Sequence, residues 1–168
     1  MRRIILFLFL LLLSGSAVQA QEDSNLPVDN ILVNKADRKL YLKNGDKVIK
    51  QYRIALGGEP IGPKEREGDN KTPEGQYFIE AHNPYSSYHL SLRISYPNEE
   101  QKKKAKENNY SAGGDIMIHG LPNKLPNTLF KLVHFSMDWT QGCIAVTDEE
   151  IEEIYKLVPD KTPILITP

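Results

Sequence analysis

Cys143 is the only cysteine in this 168-residue chain, and it stands in Thr140-Gln141-Gly142-Cys143-Ile144. A lone thiol has no partner for an intramolecular disulfide. Flanked by glycine and small polar residues, with a histidine elsewhere as base, it has the makings of a nucleophile. His119 is that base: it ends the apolar run Ile116-Met117-Ile118, is followed by Gly120, and lies 24 residues before the thiol, enough for a return to the same sheet edge. A free thiol ionises at about 8.5, so attack near neutrality calls for a neighbouring imidazole or helix N-terminus. Acyl transfer also needs oxyanion donors, and the N–H groups of Gly142 and Cys143 are the candidates. The imidazole needs an acceptor to orient it. No carboxylate is suitably placed in the sequence; a backbone carbonyl near Gly120 would serve.

Other histidines compete for the role. His134, nine residues before Cys143, is set in Leu132-Val133-His134-Phe135 and reads as a packed side chain. His82 and His89, near Tyr85 and Tyr88, read as rim or structural residues. A zinc site from His119, His134 and Cys143 has suitable donors but lacks the paired spacing of metal motifs, and it ranks below nucleophilic catalysis. The thiol chemistry calls for no cofactor or metal.

The elements that must position these groups are mostly strands. Ile31-Leu32-Val33, Leu40-Tyr41-Leu42 and Val48-Ile49 read as short strands, with Asn44-Gly45 a hairpin turn between the last two. Tyr52 to Leu56 extends the third strand to Gly57-Gly58. Residues 59–71, rich in Gly, Pro and charge, read as a surface loop. Thr72-Pro73-Glu74-Gly75 turns into a strand over 76–80, and His89 to Tyr96 forms another. Residues 98–109 are helix-permissive and charged, a solvated excursion rather than a polyanion site. Asp115 to Ile118 is a buried-type strand that delivers His119. A short helix is expected over 126–133. Thr147 and Glu150 have capping-box spacing, and Ile151, Ile154, Tyr155 and Val158 follow at helical intervals. Ile164-Leu165-Ile166 closes the chain as a strand. The fold class is mainly β, or α+β, with a few short helices.

Residues 1–20 read as a secretory signal peptide: Arg2 and Arg3, an apolar run from Ile4 to Leu13, and small residues up to Ala20. That run is shorter than the roughly 20 residues a bilayer requires. Residues 21–29 form a short leader and 30–168 one domain with its own core. The signal carries two of the 21 basic residues and none of the 22 acidic ones, so the remainder is net acidic. A nucleic-acid partner is not expected.

Three motifs in order resemble the L,D-transpeptidase catalytic domain family, the YkuD-type fold: Thr72-Pro73-Glu74-Gly75-Gln76-Tyr77, Ile118-His119-Gly120, and Thr140-Gln141-Gly142-Cys143-Ile144. The resemblance covers nearly all of the chain from Asn30. It implies a β-sandwich-like catalytic domain in the periplasm or cell envelope, with Cys143 as nucleophile and His119 as general base. Gly120, Gly142 and Thr140 complete its motifs. It implies attack after the L-centre of diaminopimelate in a peptidoglycan stem tetrapeptide, with release of D-alanine. The acyl group then passes to an amine, a lipoprotein lysine or water. Tyr85, Tyr88 and Arg93, placed before the His119 strand, and Gln141, beside the thiol, are candidate substrate contacts. Gln141 and Ala145 depart from the family's frequent residues, and no arginine follows Arg93. These departures, with Ser95-Tyr96-Pro97-Asn98 and Asp138-Trp139-Thr140, resemble a periplasmic subgroup in which some members hydrolyse the lipoprotein link. Transferase and hydrolase both stand. A sortase-like enzyme is disfavoured by the missing arginine; a non-catalytic wall-binding domain is the remaining alternative.

Overall fold

The computed structural model describes residues 26–124, 130–131 and 133–168. The expected signal segment, most of the leader and most of the helix expected over 126–133 lie outside the described residues. Phe130, Lys131 and Val133 are helical and lead into a 3₁₀ turn at His134–Ser136.

Among the described residues, eight strands form one mixed sheet. They are β1 (Asn30–Asn34), β2 (Lys39–Asn44), β3 (Lys47–Arg53), β4 (Gly75–Ser86), β5 (His89–Ile94), β6 (Met117–His119), β7 (Ile144–Ala145) and β8 (Pro163–Thr167). The order across the sheet is β3-β2-β1-β8-β4-β5-β6-β7. Alternation does the sorting at the first edge: Ile31, Val33, Leu40 and Leu42 are buried while their neighbours stay partly exposed. The expected hairpin is present, but its loop is Gly45-Asp46, one residue later than expected. Asn44 pairs with Lys47, and Gly45 takes a φ of 55°.

β4 is the corner of the sheet. Its first part pairs with β8 from Gly75 to Phe78, and its second part pairs with β5 from Ile79 to Ser86. This strand is far longer than the expected 76–80, because hairpin pairing with β5 carries it on to Ser86. β3, by contrast, ends at Arg53, and the chain beyond it crosses to the opposite edge of the sheet. Ala55 bridges Ala145, and Gly57 bridges Thr140. The two edges are thereby drawn together over a core that includes Leu56, Ile79, Leu92, Ile118 and Ile144.

Two helices accompany the sheet among the described residues. α1 (Glu99–Glu107) is the charged excursion, closed at its start by a capping box between Asn98 and Gln101. α2 (Asp148–Leu157) starts at Thr147, whose side chain accepts from the Glu150 N–H while Glu150 reaches back, as the spacing predicts. Its buried Ile151 and Ile154 pack toward β5 and β6.

Candidate active site

β6 and β7 run parallel, with Ile118 beside Ile144 and His119 beside Ala145. Ile118 and Ile144 are fully buried in the core. Met117 and His119, one step from Ile118, therefore turn to the other face, and Cys143 is the residue that leads into β7 beside them. Separation along the chain is removed by pairing.

Cys143 leaves a turn that Thr140 holds. The Thr140 hydroxyl donates to the Cys143 carbonyl at 2.7 Å and accepts from the Gly142 N–H at 3.1 Å. Thr140 is itself stitched by its backbone to Leu56 and Gly58. The Gly142 N–H is thus engaged and does not serve as the free oxyanion donor expected of it. Gly142 has a φ of 126°, and a Cβ there would lie 2.6 Å from the Lys71 carbonyl oxygen. Gly57 is as confined: a Cβ would meet the Asn70 carbonyl oxygen at 2.1 Å.

The wall that confines both glycines is the loop expected to be a plain surface segment. It is mostly exposed, yet Lys64 is buried, its ammonium bound to Asp69 at 2.7 Å and to the Arg66 carbonyl at 3.0 Å. Asp69 also accepts from the N–H groups of Glu65, Arg66 and Lys71. Burial raises the Asp69 carboxyl, but these bonds, led by that of Lys64, outweigh it and bring it to about 2. Lys35, also buried, clamps the Gly62 and Thr72 carbonyls and Glu74. Two internal ammonium groups thus fix the loop in place of an apolar core.

His119 is 3% exposed. Its Nδ1 lies 2.7 Å from the Gly120 carbonyl oxygen, which can only accept. Nδ1 therefore carries the proton, and Nε2 of the neutral ring has a free lone pair. The Tyr88 ring lies 4.5 Å from the imidazole, and Trp139 meets it edge-on at 5.7 Å. Burial lowers His119 to about 4; the Gly120 carbonyl works the other way, and a protonated His134 would add to the lowering. Gly120 leaves little room beside it: a Cβ would crowd Asp148 Oδ1 at 2.7 Å and the Ile151 and His89 side chains.

The thiol departs from the expectation of a lowered value. Burial pushes Cys143 above its ordinary value, as does the Asp115 charge, while a Met117 N–H and the Lys64 ammonium pull it back. The Sγ donates to the Asp115 carbonyl at 3.5 Å. Cys143 is only partly buried, yet the two shifts act in the same sense, each favouring the neutral form of its group at rest.

The other expected residues fall into place unevenly. Tyr88 reaches His119. Arg93 is on β5 opposite Met117 and pairs with Glu80 at 2.8 Å. Tyr85 is 93% exposed; among the described residues no bond or ring contact joins its side chain to Cys143 or His119. Gln141 is exposed. His134 is fully buried between Phe130 and Phe135, and desolvation lowers it to about 4. His82 binds Asp160 and the Tyr155 carbonyl, and His89 binds Glu152, tying β4 and β5 to α2 and its C-terminal loop. Trp139 is a further residue of the site, signalled in the sequence only as the chain's single tryptophan, one residue before Thr140.

Residues 29–166 match the YkuD family, described as the L,D-transpeptidase catalytic domain. Escherichia coli (strain K12) YafK is 28% identical over 179 residues, covering 94% of this chain and 64% of YafK. The structure of the helical cell shape determining protein Pgp2 from Campylobacter jejuni superposes with a TM-score of 0.59 at 26% identity, over 89% of this chain and 54% of that one. Bdellovibrio bacteriovorus Bd1075 does so at 0.55 and 30% identity, over 84% of this chain and 48% of that one. The chain therefore spans about half to two thirds of the relatives it matches.

Proposed function

Because the chain belongs to the L,D-transpeptidase catalytic domain family, we propose that it is a cysteine acyl-transfer enzyme acting on peptidoglycan stem tetrapeptides at diaminopimelate. The observation that carries this reading is the His119–Gly120 hydrogen bond, which leaves Nε2 a base on β6, the strand paired with the one that follows Cys143.

The reaction follows from the atoms present. As Sγ attacks the carbonyl carbon of the L-centre, Nε2 takes the thiol proton. The bond forms without a preformed thiolate, in keeping with the neutral resting pair. The carbonyl oxygen becomes an oxyanion facing the Cys143 N–H, the donor left once Thr140 engages that of Gly142. The imidazolium Nε2–H then protonates the departing D-alanine nitrogen, and the carbon–nitrogen bond breaks to leave a thioester. An incoming amine or water loses its proton to Nε2, attacks the thioester, and returns the thiol.

Residues 1–20 serve as an export signal in this proposal, and the domain works in the periplasm. The likeness to Pgp2, named for helical cell shape, supports a part in wall remodelling. Peptidoglycan stems are the substrate, with a lipoprotein lysine as a further acceptor or leaving group.

The test is incubation of the purified protein with tetrapeptide muropeptides, read by mass spectrometry. Crosslinked dimers assign transfer, and tripeptides alone assign hydrolysis. Absence of both, or either activity surviving in Cys143→Ala, sinks the mechanism.

A further inference from the structure

Arg93 and Cys143 flank the same residue. Arg93 pairs with Met117 across the β5–β6 ladder. The β6–β7 ladder, read one step back from Ile118 and Ile144, sets Cys143 on the other side of Met117. Two ladder spacings separate them, about 10 Å between Cα atoms. Arg93 and Met117, directly paired, point to one face, and the Cys143 Sγ lies against the backbone of Asp115 and Met117, so the thiol stands at the end of this row.

A second feature extends the row. The β4–β5 register shifts between Ile79 and Ala81, leaving Glu80 as the extra residue of a bulge. Bulges re-aim side chains. Here the Glu80 carboxylate meets Arg93 Nε at 2.8 Å, and both side chains are about half exposed, at 45% and 46%. A half-solvated cation and anion side by side are available to a ligand that carries both charges.

On the reading that diaminopimelate is acylated at Cys143, we infer that Glu80 and Arg93 form the subsite for its distal zwitterionic centre. Arg93 takes the distal carboxylate and Glu80 the distal ammonium. The two centres of diaminopimelate are joined by three methylenes, about 5 Å along an extended chain. A proximal carbonyl at Sγ therefore directs the distal centre along the row, within reach of side chains two strands away. The ligand replaces one ion pair with two, so neither charge is left unpaired.

The experiment uses a synthetic stem tetrapeptide and two analogues, one with the distal carboxylate as its primary amide, one with the distal amine acetylated. The readout is kcat/KM for D-alanine release. The wild type is expected to prefer the free acid over the amide by about 10-fold or more. Arg93→Gln brings that ratio close to one, and Arg93→Lys restores part of it. Glu80→Gln collapses the preference against the acetylated amine in the same way, and it decides the matter alone if Arg93→Gln does not fold. Wild-type discrimination that persists in both variants overturns the subsite while leaving the proposed reaction intact. A wild type that releases D-alanine from none of the three peptides overturns the reaction and the subsite together.

Discussion

Arg38 reaches across 100 positions of sequence to grip Asp138, its Nε and Nη2 donating to the carboxylate at 2.7 to 3.1 Å. Asp138 also accepts from the Leu56 N–H at 2.9 Å. The next residue is Trp139, whose ring closes the edge of His119, and the next is Thr140, which holds the turn of Cys143. A partly buried ion pair between the β1–β2 turn and this segment thus braces the stretch that carries Trp139 and Thr140.

Asp138→Asn keeps the shape but loses the charge. It should cost about 1–3 kcal/mol of stability, the range for a charged hydrogen-bonded partner lost in a half-buried site. Denaturant midpoints measure this. Arg38→Met should cost a similar amount, and the double variant less than the sum of both. Fully additive losses would show that the two residues act separately.

Thiol alkylation should still be rising with pH above the ordinary thiol value of about 8.5, because burial raises Cys143. The rate of iodoacetamide modification, followed by intact mass, gives the profile. A plateau reached below pH 8 would mean a stable thiolate–imidazolium pair and would contradict the neutral resting state.

Gly142→Ala should destabilise by about 2 kcal/mol or more. The φ of 126° disfavours any side chain, and the Cβ would strike backbone, the Lys71 carbonyl at 2.6 Å. Gly45→Ala is the control: its φ is also positive, yet nothing lies within 4 Å of the added carbon. Equal losses in thermal or chemical denaturation would mean that backbone conformation alone matters and the loop wall does not.

Acid should weaken the fold between the ordinary imidazole value of 6.5 and about 4. Buried His119 and His134 stay neutral there while the unfolded chain binds protons, so stability is full above 6.5 and falls as pH drops toward about 4. Each contributes at most about 3 kcal/mol. Asp69 acts lower: its contribution is present above 3.8 and is lost as pH falls toward about 2. His134→Phe, packed between Phe130 and Phe135, should flatten the loss between pH 6.5 and 4.5 in urea titrations. An unchanged slope would show that His134 is not neutral in the folded state.

The family, the strand-dominated fold class and the capped helix α2 are legible in the residues alone. These are local or ordered signals: Thr147 and Glu150 are three residues apart, and each motif is contiguous. Other features depend on how the fold bends the backbone and what it lays over each group. A carbonyl near Gly120 is expected to orient His119 and does so, but Thr140 takes the N–H expected of the oxyanion donor, and Lys64 with Asp69 builds a wall from a segment that reads as solvent-exposed loop. The sign of the thiol shift belongs here too. A sequence shows which residues can ionise, but desolvation depends on what the fold lays over them, and Tyr88, Trp139 and the 59–71 loop come from three separate stretches of chain. The Glu80 bulge is the last case, since a one-residue register shift between β4 and β5 is a property of pairing, and neither strand alone specifies it.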